Sequence, residues 1–191
     1  MTGSVKFWLV LASCLVAIYA SYVAARHVQS LGLAERLLIV DLDVHHGNGT
    51  AELCADDASI FTFSMHSAKN YPAIKPASDL DVALADGTGD AEYLDVLAAH
   101  LPIAIERARP DAVLYLAGAD PYVGDRLGHL ALSKPGLAER DRRVIAACRE
   151  RGLPVAISMA GGYAEDVEDI VDIHLATVRL AALAARNPAS A

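Results

Sequence analysis

Four short apolar runs, Leu37 to Leu42, Ile60 to Ser64, Ala112 to Ala117 and Val155 to Met159, alternate with longer stretches whose apolar residues recur at helical spacing. This alternation constrains the fold more than any other feature, because strands separated by helical patterns build βαβ units around a parallel sheet. The third and fourth runs are near-continuous, as expected of strands buried on both faces. Between the runs, Leu94, Leu97, Leu101 and Ile105 form one helical stripe. Leu137, Val144, Ile145 and Cys148 form a second, and Val167, Ile170, Val171, His174 and Val178 a third. Ser133 followed by Pro135 reads as a helix start, and Gly152 with Pro154 as a helix stop. The stretch from Ser67 to Thr88, rich in Pro, Gly and Asp, is expected to be a long loop forming a pocket wall.

The polar residues of interest fall just past these strands: Asp43 and His45 after the first, Ser64 and His66 after the second, Asp120 after the third, Tyr163 after the fourth. In open α/β sheets ligands bind outside the carboxyl ends of strands, so four separate placements converge on one crevice. The first is the most informative. Alternate residues of an extended chain point the same way, which sets Asp41, Asp43 and His45 on one face. Carboxylates crowded together in a buried setting repel each other unless a cation sits among them. The geometry therefore asks for a metal.

The chain has 191 residues, 54% of them hydrophobic, enough for one domain with a substantial core. A net charge of -8 argues against nucleic-acid backbone binding and weakly favours basic partners. Cys14, Cys54 and Cys148 are odd in number and lack Cys-x-x-Cys spacing, so a disulfide framework is not expected and a reducing, cytoplasmic compartment is favoured. The N-terminus competes with that placement. Phe7 to Ala25 carries no charge and is long enough to span a bilayer. Its core, Trp8 to Ala20, also has the character of a signal-peptide apolar region, without a small-x-small cleavage site. The alternatives are a membrane anchor through residues 7–25 and a buried or non-native segment.

Asp41-x-Asp43-x-His45-x-Gly47-x-Gly49 resembles the metal-binding signature of the histone deacetylase family. Phe63-Ser64-Met65-His66, Gly118-Ala119-Asp120, Gly124-Asp125-Arg126-Leu127-Gly128 and Gly161-Gly162-Tyr163 resemble further family segments in the same order. Asn70-Tyr71-Pro72 and Gly124 to Leu127 are most similar to the class IV branch and its bacterial relatives. The resemblance runs from about Val23 to about Ala185. It implies an α/β, three-layer parallel-sheet fold of the arginase/deacetylase kind, missing the N-terminal part of the family domain. Residues 1–22 would then be an apolar segment, 23–186 the deacetylase-like domain and 187–191 a tail. Tyr22 to Val28 matches the family helix that packs beneath the sheet.

The resemblance also implies roles. Asp43, His45 and Asp120 would hold Zn2+, with Fe2+ as the alternative; three protein ligands leave a fourth position open, as in catalytic zinc sites. Asp41 and Ser64 would hold a monovalent cation, K+. Tyr163 would donate a hydrogen bond to the substrate carbonyl as it becomes an oxyanion. Gly118, Leu127 and Tyr71 match positions lining an acyl-lysine channel, while His46 and His66 are expected to be structural or exposed. The activity implied is zinc-dependent hydrolysis of acylated lysine in a peptide, or of an acylated small amine, without direct nucleic-acid binding. A manganese ureohydrolase of the arginase type would need an Asp-x-His-x-Asp setting that His45-His46-Gly47 does not supply.

One family segment has no counterpart: nothing before Asp41 reads as Gly-x-x-His-His-Ala. In the family that segment supplies a general acid–base histidine, a group contributing about 10² to 10⁴ in rate. A second reading is therefore a metal-binding but catalytically impaired member of the same fold. The lack of the family's first strands is also expected to leave an exposed sheet edge.

Overall fold

The computed structural model describes residues 20–186. The expectations for residues 1–19, including most of the apolar run, and for the tail 187–191 lie outside them. Among the described residues, no helix is long and apolar enough to cross a membrane.

Five parallel strands form one sheet: β1 (Leu37–Asp41), β2 (Ile60–Ser67), β3 (Leu80–Leu84), β4 (Ala112–Gly118) and β5 (Val155–Ala160), in the order β3-β2-β1-β4-β5. The pleat of β1 sorts its residues into two cores. Leu38 and Val40 join the side covered by α3 (Asp90–Ala108), α4 (Lys134–Glu150) and α5 (Val167–Arg186). Leu37 and Ile39 join the other, where a helix over residues 20–30 (α1) brings Tyr22, Ala25 and Val28, and the short α2 (Asn48–Cys54) brings Cys54. Each large aliphatic side chain buried in these layers is worth about 1.5–3 kcal/mol relative to exposure. This double covering makes β1 apolar throughout until Asp41.

The helix boundaries follow the sequence signals. The Ser133 hydroxyl accepts a hydrogen bond from the Gly136 amide at 3.0 Å and caps α4. Gly152, at φ 66°, turns the chain out of the helix before β5.

Two expectations need correction. The stretch from Ser67 to Thr88 is not all loop, because Leu80–Leu84 forms β3 at the sheet edge. Its sequence hides the strand, since Asp is depleted in strands and the segment carries Asp79 and Asp81 around Leu80. An edge position tolerates them, and Asp79 fastens the strand by accepting hydrogen bonds from the Thr62 amide (2.8 Å) and hydroxyl (3.0 Å). Pairing with β3 also lengthens β2, from Phe63 against Leu80 to Ser67 against Leu84. Ser64 and His66 thus lie within β2, not beyond it.

At the opposite side, among the described residues β5 pairs with β4 alone, and Met159 is 64% exposed.

Candidate metal centre

From β1 the chain builds outward through β2 and β3, then returns to add β4 on the other side of β1. The carboxyl ends of β1 and β4 flank this reversal, the place where an open α/β sheet leaves a crevice. Asp43 follows β1 and Asp120 follows β4. Nδ1 of His45 lies 3.0 Å from Asp43 Oδ1 and 3.2 Å from Asp120 Oδ2. One potential ligand atom from each of the three lies within 4.8 Å of the others. Asp120 is fully buried, whereas the His45 side chain is 27% exposed, so the cluster is closed below and open on the imidazole side.

Backbone amides hold the carboxylates in place. Gly161 N–H donates to Asp43 Oδ2 at 3.1 Å and Val44 N–H to Asp120 Oδ1 at 2.8 Å. The glycines are required by close approach. A β-carbon at Gly161 would collide with the Asp120 carboxylate, and one at Gly118 would lie 2.9 Å from Asp120 Oδ1 and 2.9 Å from the Asp43 Cα. A third, at Gly47, would collide with the Asp41 carboxylate.

The charges are coupled. Burial, then the charge of Asp43, pushes Asp120 up to about 7. Burial opposes a charged His45, but hydrogen bonds to Asp120 and Asp43 outweigh it and lift the imidazole to about 10. Asp43 is also penalised by burial, yet the His45 hydrogen bond holds it below the usual carboxylate range. A proton on His45 therefore offsets one of the two carboxylate charges of this cluster. A divalent cation would be bound by the same donors in exchange for that proton, so the residues fit a metal of the zinc class.

Asp41 ends β1 and is registered against Ser64 of β2. Burial, followed by the nearby Asp43 charge, raises the Asp41 carboxyl well above its usual value, while its Oδ1 accepts from the Asp43 amide at 3.1 Å. Ser64 Oγ lies 3.0 Å from His66 Nδ1. His66 and His46 are both buried, their rings edge-to-face at 4.6 Å. Burial and the adjacent His46 hold His66 down to about 4.

Tyr163 sits two residues past Gly161, in a loop tied to the segment 125–128. Its amide donates to Asp125 Oδ2, and its carbonyl accepts from Arg126 Nε at 3.1 Å. Asp125 Oδ1 accepts from the amides of Leu127 and Gly128, both at 2.8 Å. Asn70 ties in the third wall, donating to the Leu127 carbonyl at 2.6 Å and accepting from the His129 amide at 2.9 Å. Leu127 and Tyr71 lie on this rim, 48% and 71% exposed. Gly118 sits deeper, beneath the two carboxylates.

Arg140 and Asp141 lie outside every motif in the sequence, and the role of Asp125 is not visible from the segment that contains it. Arg140 is fully buried; its Nη1 donates to the carbonyls of Gly118 (2.7 Å) and Leu42 (3.3 Å), fastening the ends of β4 and β1 from below. Its charge is balanced by Asp141, which also accepts from the hydroxyls of Tyr115 and Thr177. A signal existed. Residues 140 and 141 fall on the stripe of Leu137, Val144, Ile145 and Cys148, where a charged pair can only be buried together.

The sequence pattern of the histone deacetylase domain matches residues 14–178. The chain belongs to that family. It is 49% identical over 152 residues to an uncharacterized protein of Picosynechococcus sp., covering 80% of this chain and 51% of that one. It is 36% identical over 131 residues to histone deacetylase 2 of Arabidopsis thaliana, covering 67% and 34%. Among solved structures, the HDA15 HD domain superposes with a TM-score of 0.69 at 27% identity, over 84% of this chain and 49% of that one. An acetylpolyamine aminohydrolase of Burkholderia pseudomallei shares the fold, with a TM-score of 0.70 at 23% identity over 82% and 48%. The chain thus spans about half, or less, of the length of these relatives.

Proposed function

We propose that the Asp43, His45 and Asp120 cluster is the zinc centre of an amide hydrolase that removes acyl groups from lysine in a peptide or from a related small amine. The observation carrying this reading is the convergence of two carboxylates on one imidazole nitrogen at the sheet's reversal point, with an opening on the imidazole side. A zinc ion held there would supply Lewis acidity and lower the pKa of a bound water toward about 7. The chain's own groups do the rest. The Gly161 and Val44 amides fix the carboxylates, so that they need not reorganise during reaction. Tyr163 donates its hydroxyl proton in a hydrogen bond to the developing oxyanion, from a loop anchored through Asp125. Leu127 and Tyr71 provide apolar surface for the acyl-lysine stem, and Asp41 with Ser64 takes a potassium ion.

A second reading, an impaired hydrolase that binds metal and ligand, is favoured by one observation. Among the described residues, His45 is the only imidazole hydrogen-bonded to Asp43 or Asp120, and as a ligand it cannot also serve as the general base. Turnover of a fluorogenic acetyl-lysine peptide by zinc-loaded protein tests both. Tyr163→Phe is expected to lower kcat by about 10²-fold or more with zinc content unchanged, because tyrosine is an oxyanion donor and not a ligand. Unchanged turnover would overturn its role. If the impaired reading holds, the chain is at least about a hundredfold slower than a version carrying the family's Gly-x-x-His-His-Ala segment. Equal rates would sink it.

A further inference from the structure

A second group of ligating side chains lies outside the centre just described. His46, His66 and Asp81 bring one potential ligand atom each to within 4.8 Å of one another. They come from three places in the chain: the loop after β1, the strand β2 and the edge strand β3. The His46 side chain is fully buried and His66 is 1% exposed, whereas the Asp81 side chain is 31% exposed. The group is therefore closed on its imidazole side and reachable past the carboxylate.

The spacing suits a shared ion. His46 Nε2 lies 3.1 Å from Asp81 Oδ1, against about 3.3 Å between two ligands of a tetrahedral zinc with bonds near 2.0 Å. The imidazole centroids are 4.6 Å apart with the planes at 87°, where two rings on one such ion would sit about 5 Å apart. Ser64 engages Nδ1 of His66, which orients that ring and leaves Nε2 as its remaining donor position. Imidazole nitrogens favour transition metals over magnesium or calcium. The Lys75 charge, felt at His66, opposes a cation, although its ammonium is held by the carbonyls of Ala68, Asn70 and Pro72.

We propose that His46, His66 and Asp81 form a second site for a divalent transition metal of the zinc and cobalt class, which joins β2 and β3 to the loop carrying His45. This site does not depend on the hydrolase reading, since it uses none of the three ligands of the first centre.

The 191-residue chain, stripped with a chelator and dialysed against Zn2+, is expected to hold two ions by elemental analysis. Asp120→Asn should hold one and Asp81→Asn one, with His66→Gln repeating the loss seen for Asp81→Asn. Asp81→Asn keeps shape and lies at the surface, and circular dichroism of each variant shows whether the fold is retained. In the Asp120→Asn background, Asp81→Asn should raise the Kd for Co2+ by more than about a hundredfold, beyond the cost of losing an outer hydrogen-bond partner. Stoichiometry unchanged in both folded Asp81→Asn and His66→Gln overturns the second site. One ion that is lost with Asp120→Asn and kept with Asp81→Asn does the same. One ion kept in Asp120→Asn but lost with Asp81→Asn supports this site and refutes the first centre.

Discussion

Arg140→Met is expected to destabilise the fold by about 3–5 kcal/mol, the usual cost of breaking a buried ion pair from one side. Arg140 is fully buried, its Nε donates to Asp141 Oδ1 at 2.8 Å, and its Nη1 serves the carbonyls of Gly118 and Leu42. Methionine fills much of the volume and supplies none of these donors. Asp141 keeps the hydroxyls of Tyr115 and Thr177 but loses its cation, and each carbonyl left without a donor adds about 1–3 kcal/mol where water cannot replace it. Against a typical total of about 5–15 kcal/mol, one substitution would remove about a fifth or more of the stability. Urea unfolding reads this directly, provided the slope with denaturant is unchanged. If the uncompensated carboxylate is the cause, Arg140→Met/Asp141→Asn, which removes the charge but keeps an oxygen to accept from the Tyr115 hydroxyl while Thr177 can donate to the Ile173 carbonyl, should recover at least about 1 kcal/mol relative to the single change. A single variant costing under about 1 kcal/mol, or a double variant less stable than the single, would refute the reasoning.

Gly161→Ala is expected to fold but to lose zinc affinity by at least about a hundredfold, because the new β-carbon would collide with the Asp120 carboxylate; zinc dialysis showing wild-type affinity would mean the loop moves freely. Burial pushes the thiols of Cys54 and Cys148 up to about 11, so at pH 8 each is about 10⁻³ thiolate. In a Cys14→Ser protein, iodoacetamide should therefore label neither until denaturant is added. Labelling at the rate of a free thiol under native conditions would contradict this.

The sequence made the centre legible and its support obscure, for a physical reason. Asp43, His45 and Asp120 stand out because charged residues at the ends of apolar runs are costly and local, visible within a few positions. Arg140 and Asp141 act across the sheet on Leu42 and Gly118, and nothing near them in sequence names those partners. Strand β3 was hidden differently. Asp81 within it and Asp79 just before it defeat strand propensity, and only pairing with β2 and the Asp79 contacts to Thr62 make it a strand. Asp125 stood within a recognised segment, yet its role, linking the amides of Leu127, Gly128 and Tyr163, depends on a loop contact distant in sequence.

The position of β1 between β2 and β4 also governs how such a chain acquires its structure. Leu37 is registered against Ile60 on one side but against Ala112 on the other, so the middle of the sheet closes only across a very long intervening segment. Long-range parallel pairing of this kind slows folding, because the entropy of closing the loop is lost before the contacts it permits can form. Asp43 and Asp120 are neighbours only after that step. An ion captured between them binds the native state and not the open chain, adding stability as its concentration rises above Kd. Zinc added during refolding should then slow unfolding while leaving the rate of the closure step unchanged, because the ligand pair does not yet exist when the closure begins.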